Sequence, residues 1–256
     1  MIKIQRIAFA VSLIFALSLS ADDAKRSCSK EEMEKCKRAA AEAAAMKSTK
    51  PSDVAVDRVS FYQVGLVCTA APKIGCGSRA KPALLALVAN SRVAAAWLNE
   101  AGTRLAIAWE QDAKPLTTDQ LDAVLDAHGV ALQPVSDADH KELVATFTSN
   151  SGWFDAASVD RLSEQESGII ATRLVKRLAA KTPITDEQRS RLHAAFDETL
   201  RVRLTGSGTD KLDAQKLIAD VTEQLLIAAR RHVDSRGISA LKDAIALGYQ
   251  PLADEE

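Results

Sequence analysis

Between Arg58 and Cys68 the chain reads "RVSFYQVGLVC". Val59, Phe61, Gln63 and Val67 fall on one side and Tyr62 and Leu66 on the other, the period of two that marks a strand. The next apolar positions follow a helical period. After Ser78, the expected cap, Leu84, Leu85, Leu87 and Val88 form one face. Pro82 is tolerated because first-turn amides lack intrahelical partners. "GTRLAIAWE" (102–110) alternates again, with Leu105, Ile107 and Trp109 inward. "TTDQLDAVLDAHG" (117–129) predicts a helix with Thr118 as cap, Leu121, Val124 and Leu125 inside and Gly129 as stop. "VALQPV" (130–135) predicts a short strand. The intervening "SRVAAAWLNEAG" (91–102) fits two patterns. As a helix it has Ser91 as cap and alanines inside. As a strand it pairs with 103–110 through a turn near Asn99–Gly102, and the strand completes a coherent topology. The order is then strand, helix, strand, strand, helix, strand, a split βαβ arrangement.

From about Lys141 the periodicity is helical throughout. Leu162, Ile169, Ile170, Leu174 and Leu178 recur along 158–181; Leu192, Phe196 and Leu200 along 185–204; Leu217, Ile218, Val221 and Leu225 along 209–233; Ile238, Leu241 and Ile245 along 238–248. Amphipathic helices joined by short connectors such as "KTPI" and "TGSG" pack as a bundle. The fold expected is therefore α+β: a ferredoxin-like βαββαβ domain over 54–138, followed by an all-α helical bundle domain over 139–256. Trp153 and Phe154 are expected to pin the two together.

The N-terminal region changes the setting. Lys3 and Arg6 precede an apolar stretch from Ile7 to Leu19, with Ser18 and Ser20 before Asp22 and Asp23. This is the layout of a signal peptide over 1–20, too short for a comfortable membrane span. The expectation is a secreted or periplasmic protein with no stable membrane span after cleavage. Residues 29–47 read as a helical arm with a Ser29–Glu32 capping box, and "STKPSD" (48–53) as its linker, so 21–53 is arm and linker. Removing 1–20 takes Lys3 and Arg6 and no acidic residue, leaving 31 basic against 34 acidic side chains. That balance offers no basic face to nucleic acid.

Four cysteines, Cys28, Cys36, Cys68 and Cys76, all lie in the first third of the chain. In an oxidising compartment an even count points to disulfides, with three possible pairings. Cys28 and Cys36 on one ideal helix lie about 12 Å apart, beyond the ~7 Å α-carbon limit of a disulfide. Cys68 and Cys76 flank a loop with Pro72, Gly75 and Gly77. A disulfide there contributes about 2–3 kcal/mol, while two facing thiolates suit a soft ion.

"GLVC" (65–68), at the end of the first strand and before the first helix, resembles the glycine-x-x-cysteine loop of the heavy-metal-associated domain. That family includes periplasmic mercury-binding proteins and copper chaperones, and the resemblance covers about 57–135. The family's second cysteine stands three residues after the first; here that position is Ala71, and Cys76 is the next available sulfur. The resemblance implies a ferredoxin-like fold and an exported protein for metal handling, with Cys68 and Cys76 holding a soft metal ion, Cu(I) or Hg(II). Two other readings of the same pair are a disulfide-stapled interaction protein, whose helical half docks a protein partner, and a thiol–disulfide redox protein.

No further chemistry emerges from the sequence. His128, His140, His193 and His232 lack metal-ligand spacing with one another. No nucleophile elbow surrounds any serine, and no glycine loop suits a phosphate. A binding module rather than an enzyme is expected.

Overall fold

The computed structural model describes residues 48–149, 151–206 and 214–255. The expected signal segment, the helical arm and the Cys28–Cys36 spacing lie outside the described residues. The described residues fall in one compact unit, a mixed α/β structure with one five-stranded sheet and seven α-helices. The strands are β1 (Val59–Gln63), β2 (Val93–Asn99), β3 (Arg104–Trp109), β4 (Gln133–Pro134) and β5 (Trp153–Phe154). Their spatial order is β4-β1-β3-β2-β5, and every neighbouring pair is antiparallel.

The two faces of the sheet bury different sets, as alternation requires. Tyr62, Leu98, Leu105, Ile107 and Trp109 face α1 (Gly77–Val88) and α2 (Thr118–Leu125). Val59, Phe61, Trp97, Ala106 and Ala108 face the opposite way. There α3 (Asp137–Thr148) inserts Phe147 edge-on against Phe61, Trp97 and Trp153, with ring centroids 5.2–5.5 Å apart. T-shaped pairs at this spacing add to plain area burial. The segment before β1 crosses this side, where the Trp97 indole N–H donates to the Thr49 carbonyl at 2.8 Å.

Within residues 91–102, Val93–Asn99 form β2. Alanine favours a helix here, but burial between β3 and β5 decides the conformation. A bulge between Val93 and Ala95 shifts the register, so Val93 and Ala96 share one face while Ala95 and Trp97 share the other. The fifth strand was not expected. Trp153 and Phe154, beyond residue 138, pair with Asn99 and Leu98.

The long helix α4 (Asp160–Lys181) joins the layers. Leu162 packs into the sheet's core, whereas Ile170, Leu174 and Leu178 join α5 (Asp186–Gly206), α6 (Ala214–Ala229) and α7 (Ser235–Ala246) in a second core. Leu192, Phe196, Leu200, Val221, Leu225, Leu241 and Ile245 are buried as their spacing predicts. Ile169 and Ile218, also expected inside, are exposed. Ile169 stands one position, about 100° around the helix, from the buried Ile170; nothing in the structure explains the exposure of Ile218. Among the described residues no helix is long and apolar enough to cross a membrane.

Candidate functional site

Cys68 and Cys76 sit on a hairpin that leaves the sheet after β1 and returns at the start of α1. Val64 and Leu66 still donate to the carbonyls of Thr103 and Gly102. The chain then folds back. Cys68 N–H donates to Ile74 O at 2.9 Å, Cys76 N–H donates to Leu66 O at 2.7 Å, and Val67 faces Gly75 across an antiparallel bridge. With Val67 and Gly75 paired on one side, Leu66, Cys68, Ile74 and Cys76 project from the other. The two cysteines are thus diagonal neighbours on one face.

Two glycines let the hairpin lie against the β2–β3 turn. Gly102 has φ +72°, and a Cβ there would stand 2.5 Å from Leu66 O and 2.6 Å from Gly75 Cα. The Gly75 amide donates to Glu100 O at 2.6 Å. The cysteine-bearing face of the hairpin enters the helical core, with Cys68, Ala70, Ala71, Ile74 and Cys76 packed beside α4 and its neighbours. Arg173 of α4 clamps the tip by donating to Ala70 O at 2.8 Å. Cys68 and Cys76 are 2% and 9% exposed, and both are free thiols.

Helix α1 begins one residue earlier than expected. Cys76 itself, not Ser78, is the N-cap, in extended conformation. Likewise Thr117, not Thr118, caps α2, because its hydroxyl accepts from Gln120 N–H and completes a capping box. At α1 the cap position places the Cys76 sulfur beside the helix's positive end. The Ser78 hydroxyl lies 3.4 Å from it.

The pair is electrostatically asymmetric. Cys76 is pushed down to about 6, chiefly because the Cys68 S–H donates to its thiolate; the Ser78 hydroxyl, the Arg79 amide and the Arg79 charge assist against the effect of burial. Cys68 is pushed up strongly, first because its proton is held by Cys76, then by burial and by the negative charge of Glu166. Lys73 sits exposed at the hairpin tip.

Glu166 is the residue that the sequence reading missed. It projects from α4 and is 6% exposed. It stands on α4 between Ser163, against which the start of α1 packs at Gly77, and Arg173, which holds the hairpin at Ala70; burial, followed by the nearby Cys76 charge, pushes its carboxyl up to about 7. Its Oε2 and the hydroxyl of Ser163, one turn earlier, are buried with no hydrogen-bond partner among the described residues. A signal was present: Leu162, Glu166, Ile170 and Leu174 share i, i+4 spacing, so a carboxylate occupies the inward stripe.

The dispersed histidines stay apart. His140 packs edge-on to Phe61 and His193 lies 3.1 Å from Thr172. Among the described residues no group of three or more His, Cys, Asp or Glu side chains is arranged to hold a metal ion. Comparison with family models, with curated proteins and with solved structures finds no match.

Proposed function

We propose that the protein is a thiol–disulfide redox protein whose centre is the Cys68–Cys76 pair, working in the exported, oxidising setting that residues 1–20 predict. One observation carries this reading: two buried free thiols are diagonal neighbours on one face of a hairpin, one of them at the N-cap of a helix. Thiolate is the attacking species in disulfide exchange, so Cys76 attacks and Cys68 resolves. The oxidant class is a low-molecular-weight disulfide. Two electrons and two protons leave the dithiol, one sulfur–sulfur bond forms in the protein, and the acceptor's bond breaks to give two small thiols. Cys76, the less buried of the two, is the sulfur such a molecule reaches first.

The soft-ion clamp for Cu(I) or Hg(II) competes for the same pair. A two-coordinate ion takes both sulfurs as thiolates and displaces their protons. The spatial run β4-β1-β3-β2 supports a ferredoxin-like reading of the α/β half, to which β5 is an addition.

Alkylation tests the asymmetry. With reduced protein and iodoacetamide across a pH series, Cys76 reacts with a midpoint near 6, while Cys68 reacts only at much higher pH. Cys68→Ala removes the donor that does most to hold Cys76 down. Its profile then moves up toward the ordinary thiol range, and its neutral-pH reactivity falls roughly fivefold. Two ordinary and independent thiol profiles would overturn the assignment of roles.

A further inference from the structure

The redox reading leaves one chemical requirement open. Cys68 must lose its proton before it can attack, in surroundings that push its pKa strongly up. Water reaches it poorly, because the residue is 2% exposed. The neighbour able to accept that proton is Glu166. It stands on the stretch of α4 between Ser163, against which Gly77 packs, and Arg173, which holds Ala70, so it lies beneath the cysteine segment, and it is itself nearly fully buried, with one carboxylate oxygen lacking any partner among the described residues. A carboxylate kept only to brace the fold would have its lone pairs satisfied, since an orphaned buried acceptor is costly.

We propose that Glu166 is the proton acceptor for Cys68 during disulfide closure, an inference that rests on the redox reading above. First, the Cys76 thiolate attacks one sulfur of the small disulfide and expels a small thiolate, leaving a mixed disulfide on Cys76. Next, the Cys68 proton passes to the Glu166 carboxylate as the Cys68 sulfur attacks the Cys76 sulfur. The bond from Cys76 to the small thiol breaks, and the second small thiolate leaves. Protonated Glu166 returns its proton to that thiolate or to water. A positioned base next to a buried nucleophile is the general arrangement for activating it.

Several groups face or bear on this centre. Cys68 and Cys76 face Glu166 from the hairpin, Arg79 acts on Cys76 from the start of α1, and Arg173 of α4 acts near Cys68. Asp197 of α5 accepts from Ser167, the residue next to Glu166.

Glu166→Gln separates two roles by the sign of its effect. A carboxylate acting only through its charge holds the Cys68 proton on, so neutralising it would speed closure. A proton acceptor speeds closure, so its loss slows it. Reduced protein is mixed with 2-hydroxyethyl disulfide, quenched in acid and weighed. Wild-type protein is expected to pass through a transient Cys76 adduct to the closed form, with a closure rate that rises as pH passes 7. In Glu166→Gln the adduct accumulates, closure is about a hundredfold slower, and the inflection near pH 7 disappears. Closure as fast as wild type or faster in the variant would overturn the role of Glu166 and leave the redox pair standing. A wild-type closure rate flat across pH 7 would do the same without any variant. Wild-type protein that forms neither adduct nor disulfide would overturn the redox reading itself.

Discussion

Gly102→Ala should lower the protein's stability by about 3 kcal/mol or more and unseat the cysteine hairpin. Two effects add. The backbone has φ +72°, a left-handed conformation that costs a residue with a Cβ about 1–2 kcal/mol. The new Cβ would also stand 2.5 Å from Leu66 O and 2.6 Å from Gly75 Cα. Both are backbone atoms of the hairpin's two arms, so no side chain can swing away, and overpacking of this kind costs about 1–3 kcal/mol. Gly129→Ala is the matched control. Gly129 has φ +62° with open space around the Cβ position, so only the conformational part applies. Urea denaturation of both variants should put Gly102→Ala well below Gly129→Ala. The Cys76 alkylation midpoint should move upward in Gly102→Ala alone, because the contact between the two sulfurs depends on the seating. Equal losses in the two variants would show that the hairpin does not rest on this turn.

Arg177→Ala should be comparably damaging, by about 3–5 kcal/mol. Arg177 is buried in α4 and donates to the carbonyls of Ala244, Gly248 and Gln250 and bidentately to the Glu255 carboxylate at 2.9 and 2.7 Å. The side chains are 5% and 9% exposed. One planar fork therefore fastens the end of α7 and the C-terminal tail to the central helix. Truncation leaves three carbonyls without this donor and leaves the Glu255 carboxylate only the Leu252 amide and the more distant Arg173 guanidinium. Arg177→Lys keeps the charge but not the fork geometry and should recover only a minor part of the loss. The acid limb carries a further signature. The Arg177 hydrogen bonds hold Glu255 down to about 2, against burial. A depressed carboxylate contributes stability that is fully present above its ordinary value, about 4.5. That stability is lost as pH falls from there toward 2. Arg177→Ala should lack this part of the acid-induced loss, as read from urea midpoints across that range. An unchanged acid limb would remove the clasp from the account.

Much of this architecture was legible in the chain. The alternation of β1 and β3 put the right residues on the right faces, down to Leu105, Ile107 and Trp109, because a strand sends successive side chains to opposite faces. The stripes of α5 and α7 were equally clear. Other parts carried no local signal. β4 and β5 are two residues each, too short for any periodicity. α3 fully buries only Phe147, so its position over the second sheet face is set by the aromatic cluster and not by a stripe. Ser78 and Thr118 were sensible caps by residue type, but the cap is fixed by where the chain turns into the helix, and at α1 that is a cysteine. The site was half legible. The pair Cys68 and Cys76 stood out, whereas the acid beneath it is one of many glutamates in a helix. Only its placement on the inward stripe distinguished it.

The proposed reversible couple of Cys68 and Cys76 is open to a redox titration of the protein in dithiothreitol buffers, each sample trapped in acid and weighed. Two populations differing by two hydrogens are expected, interconverting at the same midpoint from either direction, and lost in both Cys68→Ser and Cys76→Ser. Thiols that stay reduced at every potential, or a mass change that survives in either variant, would contradict it.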